Sequence, residues 1–351
     1  MNKSKNSIIE IDQKKIGEGQ PTYIIAEIGI NHNGCVEIAK KLIDIAVEAK
    51  ADAVKFQKRD ISSLYKDDVL KNPNIDSQGL EILLDVLNEV EFNNSDYSEI
   101  IQYCKNSGIT FLCTAWDKKS VDFLEKFDIP AYKIASADLT NFPLIQYLCE
   151  KNKPLIVSTG MSTMDEIERT VKFIKNNNTS FILLHSNSTY PSPTELLNLN
   201  LIPELKQKFN VPVGYSGHES DIIPSVTASN LGAVLIERHI TLDKNMKGLD
   251  QAASLEPEEL KILIKYVRES EKAKGEAIKK MTRGEILQRE VLAKSLICSK
   301  KISSGEIFTE NNIEVKGPSK GLSPQFYYEI LGKKSTRNIN VGDFLQEIDL
   351  E

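Results

Sequence analysis

The chain has no apolar run of the roughly 18 residues that a membrane-spanning helix needs. Its first residues, MNKSKNSIIEIDQKK, lack the apolar centre of a secretion signal. Cysteine is sparse. Cys35, Cys104, Cys113, Cys149 and Cys298 are odd in number and widely spread, and no pair has metal-ligand or redox spacing. That argues against a disulfide framework and leads us to expect reduced thiols in a cytoplasmic protein. Positive charge is in deficit: 44 Lys and Arg against 50 Asp and Glu give a net charge of −6. Nucleic acid and anionic membrane are therefore not expected as partners. Glycine-rich phosphate loops of the GxGxxG or GxxxxGK[ST] type follow none of the strand-like runs, which argues against an open nucleotide-binding sheet. No low-complexity segment occurs. Histidine is the scarcest titratable residue, with four in 351 residues.

What is present is a regular alternation. Short β-rich runs fall at 23–30, 51–57, 109–116, 131–138, 154–160, 181–188, 211–217 and 233–240. Between them lie helical patterns. VEIAKKLIDIAVEAK (36–50) sets Ile38, Leu42, Ile45 and Ala49 on one face, and STMDEIERTVKFIKNN (162–177) opens with a Ser or Thr cap and an acidic first turn. Eight strand–helix units in a row over about 250 residues predict a closed (β/α)8 TIM barrel, an α/β fold. The stretch 58–95 reads as an excursion after the second strand, with a helix near 79–90. Residues 1–20 read as a hairpin capping the barrel, 21–275 as the barrel domain, 276–289 as a charged linker and 290–351 as a small β-rich domain.

In such a barrel, chemistry gathers at the C-terminal ends of the strands. Every predicted strand carries a polar or ionisable residue there: Glu27; Lys55 and Gln57; Thr114; Lys133 and Ser136; Ser158; Ser188; Ser216 and His218; Glu237 and His239. The last run, LIERHI, is the most telling. Residues two apart share a face of a strand, so Glu237 and His239 should enter the barrel mouth while Arg238 faces helices or solvent. His218 would reach the same mouth from the neighbouring strand. Two histidines beside a carboxylate suit a divalent metal such as Mn²⁺ or Zn²⁺; the alternative is a pair of hydrogen-bonded core side chains. Lys55 and Lys133 with Ser136, Ser158, Thr114 and Ser216 would form a positive, donor-rich pocket for a small phosphate- and carboxylate-bearing substrate. The bland alternative ties both lysines to Glu27 and Glu237 as ion pairs with no ligand. A Schiff-base aldolase using Lys133 or Lys55 is a third reading, but it leaves the histidines and the serines without a task.

The segments IIAEIGINHNG, AVKFQ, KIASADLTNFPLI, STGMSTMDEI, GYSGHE and IERHITLDKNMKGLDQAASLEP together resemble the sialic acid synthase family over nearly the whole chain. SLICSKKISSGEIFTENNIEVKGPSKG resembles the antifreeze-like (SAF) domain that follows the barrel in that family. The resemblance implies a C–C bond-forming transferase. It would condense phosphoenolpyruvate with an N-acylated mannosamine-type sugar, giving a nine-carbon 2-keto acid and phosphate. It further implies Glu27, His218 and His239 in catalysis. A divalent metal, Mn²⁺ first and Mg²⁺ or Co²⁺ as alternatives, would sit on His218 and His239. Lys55, Thr114, Lys133, Ser136, Ser158, Ser188 and Ser216 would hold phosphoenolpyruvate, and Gln57, Tyr190, Glu237 and Asp250 the sugar. It also implies a homodimer with swapped C-terminal domains.

The expected acceptor is N-acetylmannosamine. Alternatives are 2,4-diacetamido-2,4,6-trideoxymannose, because LDKNM resembles legionaminic acid synthases, and N-acetylmannosamine 6-phosphate, because GYSGHE resembles the animal-type enzymes. Two departures bear on this choice. Ser188 stands where some bacterial members have Asn, and Gly317 stands where many have the arginine of KRPG; Lys316 or Lys320 offers only a point charge there. An ice-binding or glycan-binding role for the small domain conflicts with its lysine-rich text. If the histidines titrate as free imidazoles, activity should fall as pH drops toward about 6.5.

Overall fold

The computed structural model describes residues 8–71 and 80–351. The chain divides into two compact units, residues 1–275 and 276–351. The first holds eight parallel strands closed into a barrel: β3 (Tyr23–Gly29), β4 (Ala53–Lys58), β5 (Thr110–Ala115), β6 (Tyr132–Ile134), β7 (Leu155–Ser158), β8 (Phe181–Ser186), β9 (Val213–Gly217) and β10 (Leu235–His239), with β10 pairing to β3. They are preceded by an antiparallel hairpin, β1 (Ile9–Ile11) and β2 (Lys14–Ile16). Of the hairpin expected over 1–20, residues 1–7 lie outside the described residues, as does the first residue of the helix expected near 79–90, which runs Leu80–Val90.

The strand sequences sort themselves by period two. Ile24, Ala26, Val54, Phe56, Phe111, Cys113, Leu183 and Ile236 belong to the large cluster between barrel and helices. Their neighbours Tyr23, Ile25, Ala53, Leu112, Ile156, Ile182, Leu184 and Leu235 form a second cluster inside the barrel, closed by Ile9, Ile11 and Ile16 of the hairpin. The inward-facing set then changes character along each strand. Ile25 gives way to Glu27, Ala53 to Lys55 and Gln57, Leu112 to Thr114, Ile156 to Ser158, Leu184 to Ser186, and Leu235 to Glu237 and His239. The lower barrel is thus a packed apolar plug and the upper barrel a polar bowl. Gly214 marks where the plug is tightest: a Cβ there would lie 2.6 Å from both Leu184 Cδ2 and the Leu235 carbonyl oxygen.

All eight barrel strands are shorter than the runs read from sequence, β6 most of all. The run 131–138 forms a strand only to Ile134 and then turns through a short 3-10 helix, Ser136–Asp138, which lifts its polar residues over the barrel rim. Arg238 does face away from the mouth, but it does not reach solvent. It is buried beside Glu219, with Nη1 2.8 Å from Glu219 Oε1, and it also donates to Ser225 Oγ and the Asp221 carbonyl. Glu219 accepts in addition from the Tyr215 hydroxyl at 2.8 Å.

The second unit carries a helix, Arg283–Leu292, part of which occupies the stretch read as a linker. Beyond it lie a two-stranded ladder, β11 (Ser295–Cys298) with β12 (Ile313–Lys316), and several isolated bridges around a small core of Leu296, Cys298, Ile302, Phe308, Ile313, Ile339 and Leu345. Among the described residues no helix is long and apolar enough to cross a membrane, and all five cysteines are free.

Removing one partner of a buried ion pair strands the other charge, at a cost of about 3–5 kcal/mol. Glu219→Ala should lower barrel stability by that order in denaturant unfolding followed by near-UV circular dichroism. The double variant Glu219→Met/Arg238→Met should recover much of the loss. A double variant as unstable as the single one would show that the pair's charge is not what matters.

Candidate active site

The polar bowl encloses a cavity of about 170 Å³. Glu27, Lys55, Gln57, Thr114, Lys133, Ser136, Ser158, Ser188, Tyr190, Ser216, His218, Glu237 and His239 all line it. The pairing register explains the convergence. His239 is level with Glu27 and Glu27 with Lys55; Gln57 is level with Thr114 and Thr114 with Lys133; Ser186 is level with Ser216 and Ser216 with Glu237. Asp250 stands off this wall in a turn, with Oδ2 3.7 Å from His239 Nδ1.

The ion pairs weighed as an alternative to a ligand pocket are present. Lys55 Nζ lies 2.9 Å from Glu27 Oε1 and 3.7 Å from Glu237 Oε1, and donates to Thr114 Oγ1 at 3.0 Å. Lys133 Nζ lies 3.8 Å from Glu237 Oε1 and donates to Ser158 Oγ at 2.7 Å and to the Ile134 carbonyl at 3.2 Å. All four charged side chains are at most 5% exposed. Yet the network is not saturated. Oε2 of Glu27 and Oε2 of Glu237 have no hydrogen-bond partner among the described residues, nor do Ser186 Oγ and Ser188 Oγ. Ion pairing and an open polar cavity therefore coexist.

Burial and neighbouring charge push these groups apart. Desolvation pushes the Lys133 amine down to about 8, with the Lys55 charge adding to it and Glu237 opposing. Desolvation acts on Lys55 in the same sense, but Glu237 and Glu27 outweigh it and hold that amine above its ordinary value. Burial raises the Glu27 carboxyl, against Lys55 and His239. Burial would raise Glu237 as well, but Lys133 and Lys55 hold it below the usual range. One carboxylate is thus poised to accept a proton and the other to stay ionised.

His218 and His239 face each other with ring centroids 5.5 Å apart. His218 Nδ1 points at the Asn187 carbonyl at 2.7 Å and so carries the proton, which leaves Nε2 as an acceptor 2.8 Å from the Tyr190 hydroxyl. Burial pushes His218 down to about 3, so it is neutral well below pH 6.5. The acid limb expected from a free imidazole therefore does not apply to His218. His239 Nδ1 is buried and, among the described residues, has no hydrogen-bond partner; the Asp250 carboxylate stands 3.7 Å away. A neutral imidazole with its lone pair oriented, beside a second with an unpartnered nitrogen, fits a divalent cation. Among the described residues no group of three or more His, Cys, Asp or Glu gathers to hold a metal, so the pair would leave most of an ion's coordination to other ligands. The other two histidines have structural surroundings: His32 stacks on Phe92, and His185 Nε2 meets the Leu197 carbonyl at 2.6 Å.

Residues not singled out from sequence also line the cavity, among them Trp116, Met161 and Ser186. Ser186 was within reach of the strand-end rule, because it closes β8 two residues after the buried Leu184. Trp116 lies just past β5, and only the folded loop shows that it turns inward. Gly160 carries a further constraint: a Cβ there would fall 2.1 Å from Ser188 Oγ and 2.7 Å from Ser136 Oγ, so glycine keeps these hydroxyls side by side.

Residues 42–279 match the NeuB family, and residues 293–351 match the SAF domain. An N,N'-diacetyllegionaminic acid synthase of Campylobacter jejuni is 39% identical over 336 residues, covering 93% of this chain and 99% of that protein. The N-acetylneuraminate-9-phosphate synthase of Homo sapiens is 37% identical, covering 95% of this chain and 93% of that protein. A crystal structure of the N-acetylneuraminic acid (sialic acid) synthetase of Leptospira borgpetersenii, in complex with citrate, superposes with a TM-score of 0.72 at 30% identity, covering 81% of this chain and 95% of that one. The chain belongs to the NeuB family of phosphoenolpyruvate-dependent nonulosonate synthases, a barrel enzyme followed by a SAF domain.

Proposed function

We propose that this enzyme condenses phosphoenolpyruvate with the open-chain aldehyde of an N-acylated mannosamine-type sugar, N-acetylmannosamine being the simplest, to give a nine-carbon 2-keto acid and phosphate. The observation that carries this reading is the single cavity in which two lysines and a run of hydroxyls face a pair of histidines. Lys55, Lys133, Thr114, Ser136, Ser158, Ser188 and Ser216 supply donors for the phosphate and carboxylate of phosphoenolpyruvate. Gln57, Tyr190, Glu237 and Asp250 would contact the sugar. His218 and His239 would hold a divalent ion, Mn²⁺ first, which when bound supplies Lewis-acid polarisation of the aldehyde.

The chemistry follows from the arrangement. C3 of phosphoenolpyruvate adds to the aldehyde carbon as the C=O π bond breaks and its oxygen takes a proton from water to become a hydroxyl; positive charge develops at C2, where ionised Glu237 offsets it. Water adds at C2, and its proton can pass to Glu27 Oε2, the unpartnered oxygen of a carboxyl whose proton affinity burial has raised. The C2 hydroxyl then gives up its proton to the departing phosphate as the C2–O bond to it breaks, leaving the 2-keto group. Glu27 Oε1 is held by Gln57 Nε2 at 2.9 Å and by Lys55, which fixes the direction in which Oε2 points.

The homodimer is proposed on separate grounds. Ile278, Met281, Ile286, Leu287, Val291 and Leu292, in and before the helix of the second unit, are all 44–69% exposed, which suits a surface covered by a second copy.

Purified protein should release phosphate from phosphoenolpyruvate with Mn²⁺ and one of three acceptors: N-acetylmannosamine, its 6-phosphate or 2,4-diacetamido-2,4,6-trideoxymannose. EDTA should stop the reaction and Mn²⁺ restore it. Loss of an outer-shell partner costs about 10–100-fold in metal affinity, so His218→Ala and His239→Ala should weaken Mn²⁺ binding at least that much by electron paramagnetic resonance. Undiminished turnover in metal-free protein, or borohydride trapping of a keto substrate on Lys133, would sink the mechanism.

Because the Lys133 amine titrates near 8, it is protonated below that pH and neutral above it. Loss of its charge removes a donor to an anionic substrate. The kcat/KM for phosphoenolpyruvate should therefore fall about tenfold per pH unit above 8, and Lys133→Met should flatten that limb at a uniformly low level. A profile unchanged to pH 10 would refute the assignment.

A further inference from the structure

The side-chain amide of Gln57 is bonded on both sides. Its Nε2 donates to Glu27 Oε1 at 2.9 Å, and its Oε1 accepts from Nη2 of Arg59. The Tyr97 hydroxyl holds the backbone carbonyl of Gln57 at 2.5 Å. Arg59 directly follows β4 and continues its inward set, after Lys55 and Gln57. It is buried, yet it is not among the residues that line the catalytic cavity. Its guanidinium carbon lies 5.2 Å from the centroid of the Trp116 ring, and Nη1 lies 3.9 Å from Glu91 Oε2. Glu91 comes from just after the helix Leu80–Val90, so the excursion following β4 braces this cation from one side and the loop following β5 from the other. A tie between barrel and excursion would account for a buried arginine, but the distances point elsewhere. Glu91 Oε1 accepts from Lys58 Nζ at 2.7 Å and from the backbone amide of Arg59 at 3.3 Å, so Lys58 already serves as the tie. Among the described residues the guanidinium makes one side-chain hydrogen bond, and it goes to Gln57.

We propose that Arg59 is a positioning residue for the condensation: it pins the Gln57 amide in the one orientation that donates to Glu27. The inference rests on the synthase reading above and adds a residue to its C2 step. An amide keeps nearly the same shape when its oxygen and nitrogen are exchanged, so sterics alone do not orient it. A guanidinium can only donate. The atom facing Arg59 therefore has to be Oε1, and the atom facing Glu27 has to be Nε2. Lys55 also sits on Glu27 Oε1, so both donors share that oxygen and the proton taken from water goes to Oε2. Once Glu27 carries that proton, an unpinned amide could turn over and accept from the carboxyl at Oε1, and the proton would be shared there rather than released to solvent. Turning over would break the Arg59 bond and set the amide nitrogen against a buried cation, donor to donor. Arg59 thus keeps Gln57 donating to Glu27 through the whole cycle. It also settles what Gln57 offers the sugar. With the carbonyl taken by Arg59 and one N–H by Glu27, only the second N–H is left. Gly29 keeps the contact open, since a Cβ there would lie 3.2 Å from both Gln57 Nε2 and Glu27 Oε1.

The test measures phosphate release by the full chain at saturating phosphoenolpyruvate, Mn²⁺ and acceptor sugar, in the parent, Arg59→Met, Gln57→Leu and the double variant. Arg59→Met keeps a long side chain against Trp116 and removes the donor. Loss of a hydrogen bond from a charged group should lower kcat about 10–100-fold, while KM for phosphoenolpyruvate stays within about twofold of the parent value. In the Gln57→Leu background the same change should cost nothing further, because no amide is left to hold. Circular dichroism and Mn²⁺ titration by electron paramagnetic resonance report that each variant is folded and binds the ion. If Arg59→Met does not fold, Arg59→Lys takes its place in the same cycle, since lysine keeps the charge beside Glu91 but not the planar fork. An equal loss with and without Gln57, or no loss in the folded variant, overturns the proposal. Failure of the synthase reading looks different: the parent then releases no phosphate with any of the sugars named above, and the positioning role falls with it.

Discussion

Two lysines and two glutamates share the barrel mouth almost without solvent, and the rest of the site depends on how they balance. Their charges cancel pairwise, with Lys55 against Glu27 and Lys133 between Glu237 and Ser158. As a device for stability the arrangement is poor, because desolvating four charges costs about as much as the pairing returns. As a device for function it makes sense. The neutral network keeps two ammonium groups at fixed positions without substrate, and among the described residues it leaves one oxygen on each carboxylate without a hydrogen-bond partner. An incoming anion exchanges with existing partners rather than having to order flexible side chains. The divalent cation we propose on the two histidines would offset the charge that such a substrate adds, and would make metal and substrate binding mutually supportive.

This balance needs a rigid frame, and the frame comes from the change in character along each strand. An apolar residue at one inward position and a polar one two places later place every functional group at one height. That pattern is written in a period of two, so it is readable without coordinates: Ala53 then Lys55, Leu112 then Thr114, Leu235 then Glu237. The eightfold alternation and the strand-end residues followed from it directly. Arg238 shows the same rule from the other side. Its outward direction was legible, but its burial was not, because Glu219, Ser225 and the Asp221 carbonyl come from the segment after β9 and no periodicity announces them.

Sequence reasoning fell short wherever a property belongs to an environment rather than to a residue type. A histidine in a string of letters carries its free titration; His218 in the barrel does not, since burial keeps it neutral far below that range. The two lysines look equivalent in the sequence, yet one is pushed down and the other up by their places relative to Glu237. Trp116 could not be picked out either. It follows the end of its strand, in a segment whose course depends on packing.

The boundary of what strand register alone can place runs between groups on strands and groups on loops. The groups we assign to phosphoenolpyruvate stand mostly on or directly after strands, where register fixes them to within a residue. Two of the groups we assign to the sugar stand on loops: Tyr190 after β8 and Asp250 in the turn beyond β10. Loops on a rigid barrel can change their side chains without disturbing the plug beneath them. A common donor chemistry can then be kept while the acceptor changes, and relatives of nearly equal similarity to this chain do carry the names of different sugar products. Overall similarity is dominated by the frame and the donor site, so it cannot rank acceptors. Choice of acceptor then falls to the loop side chains around the mouth, which can vary on an unchanged frame.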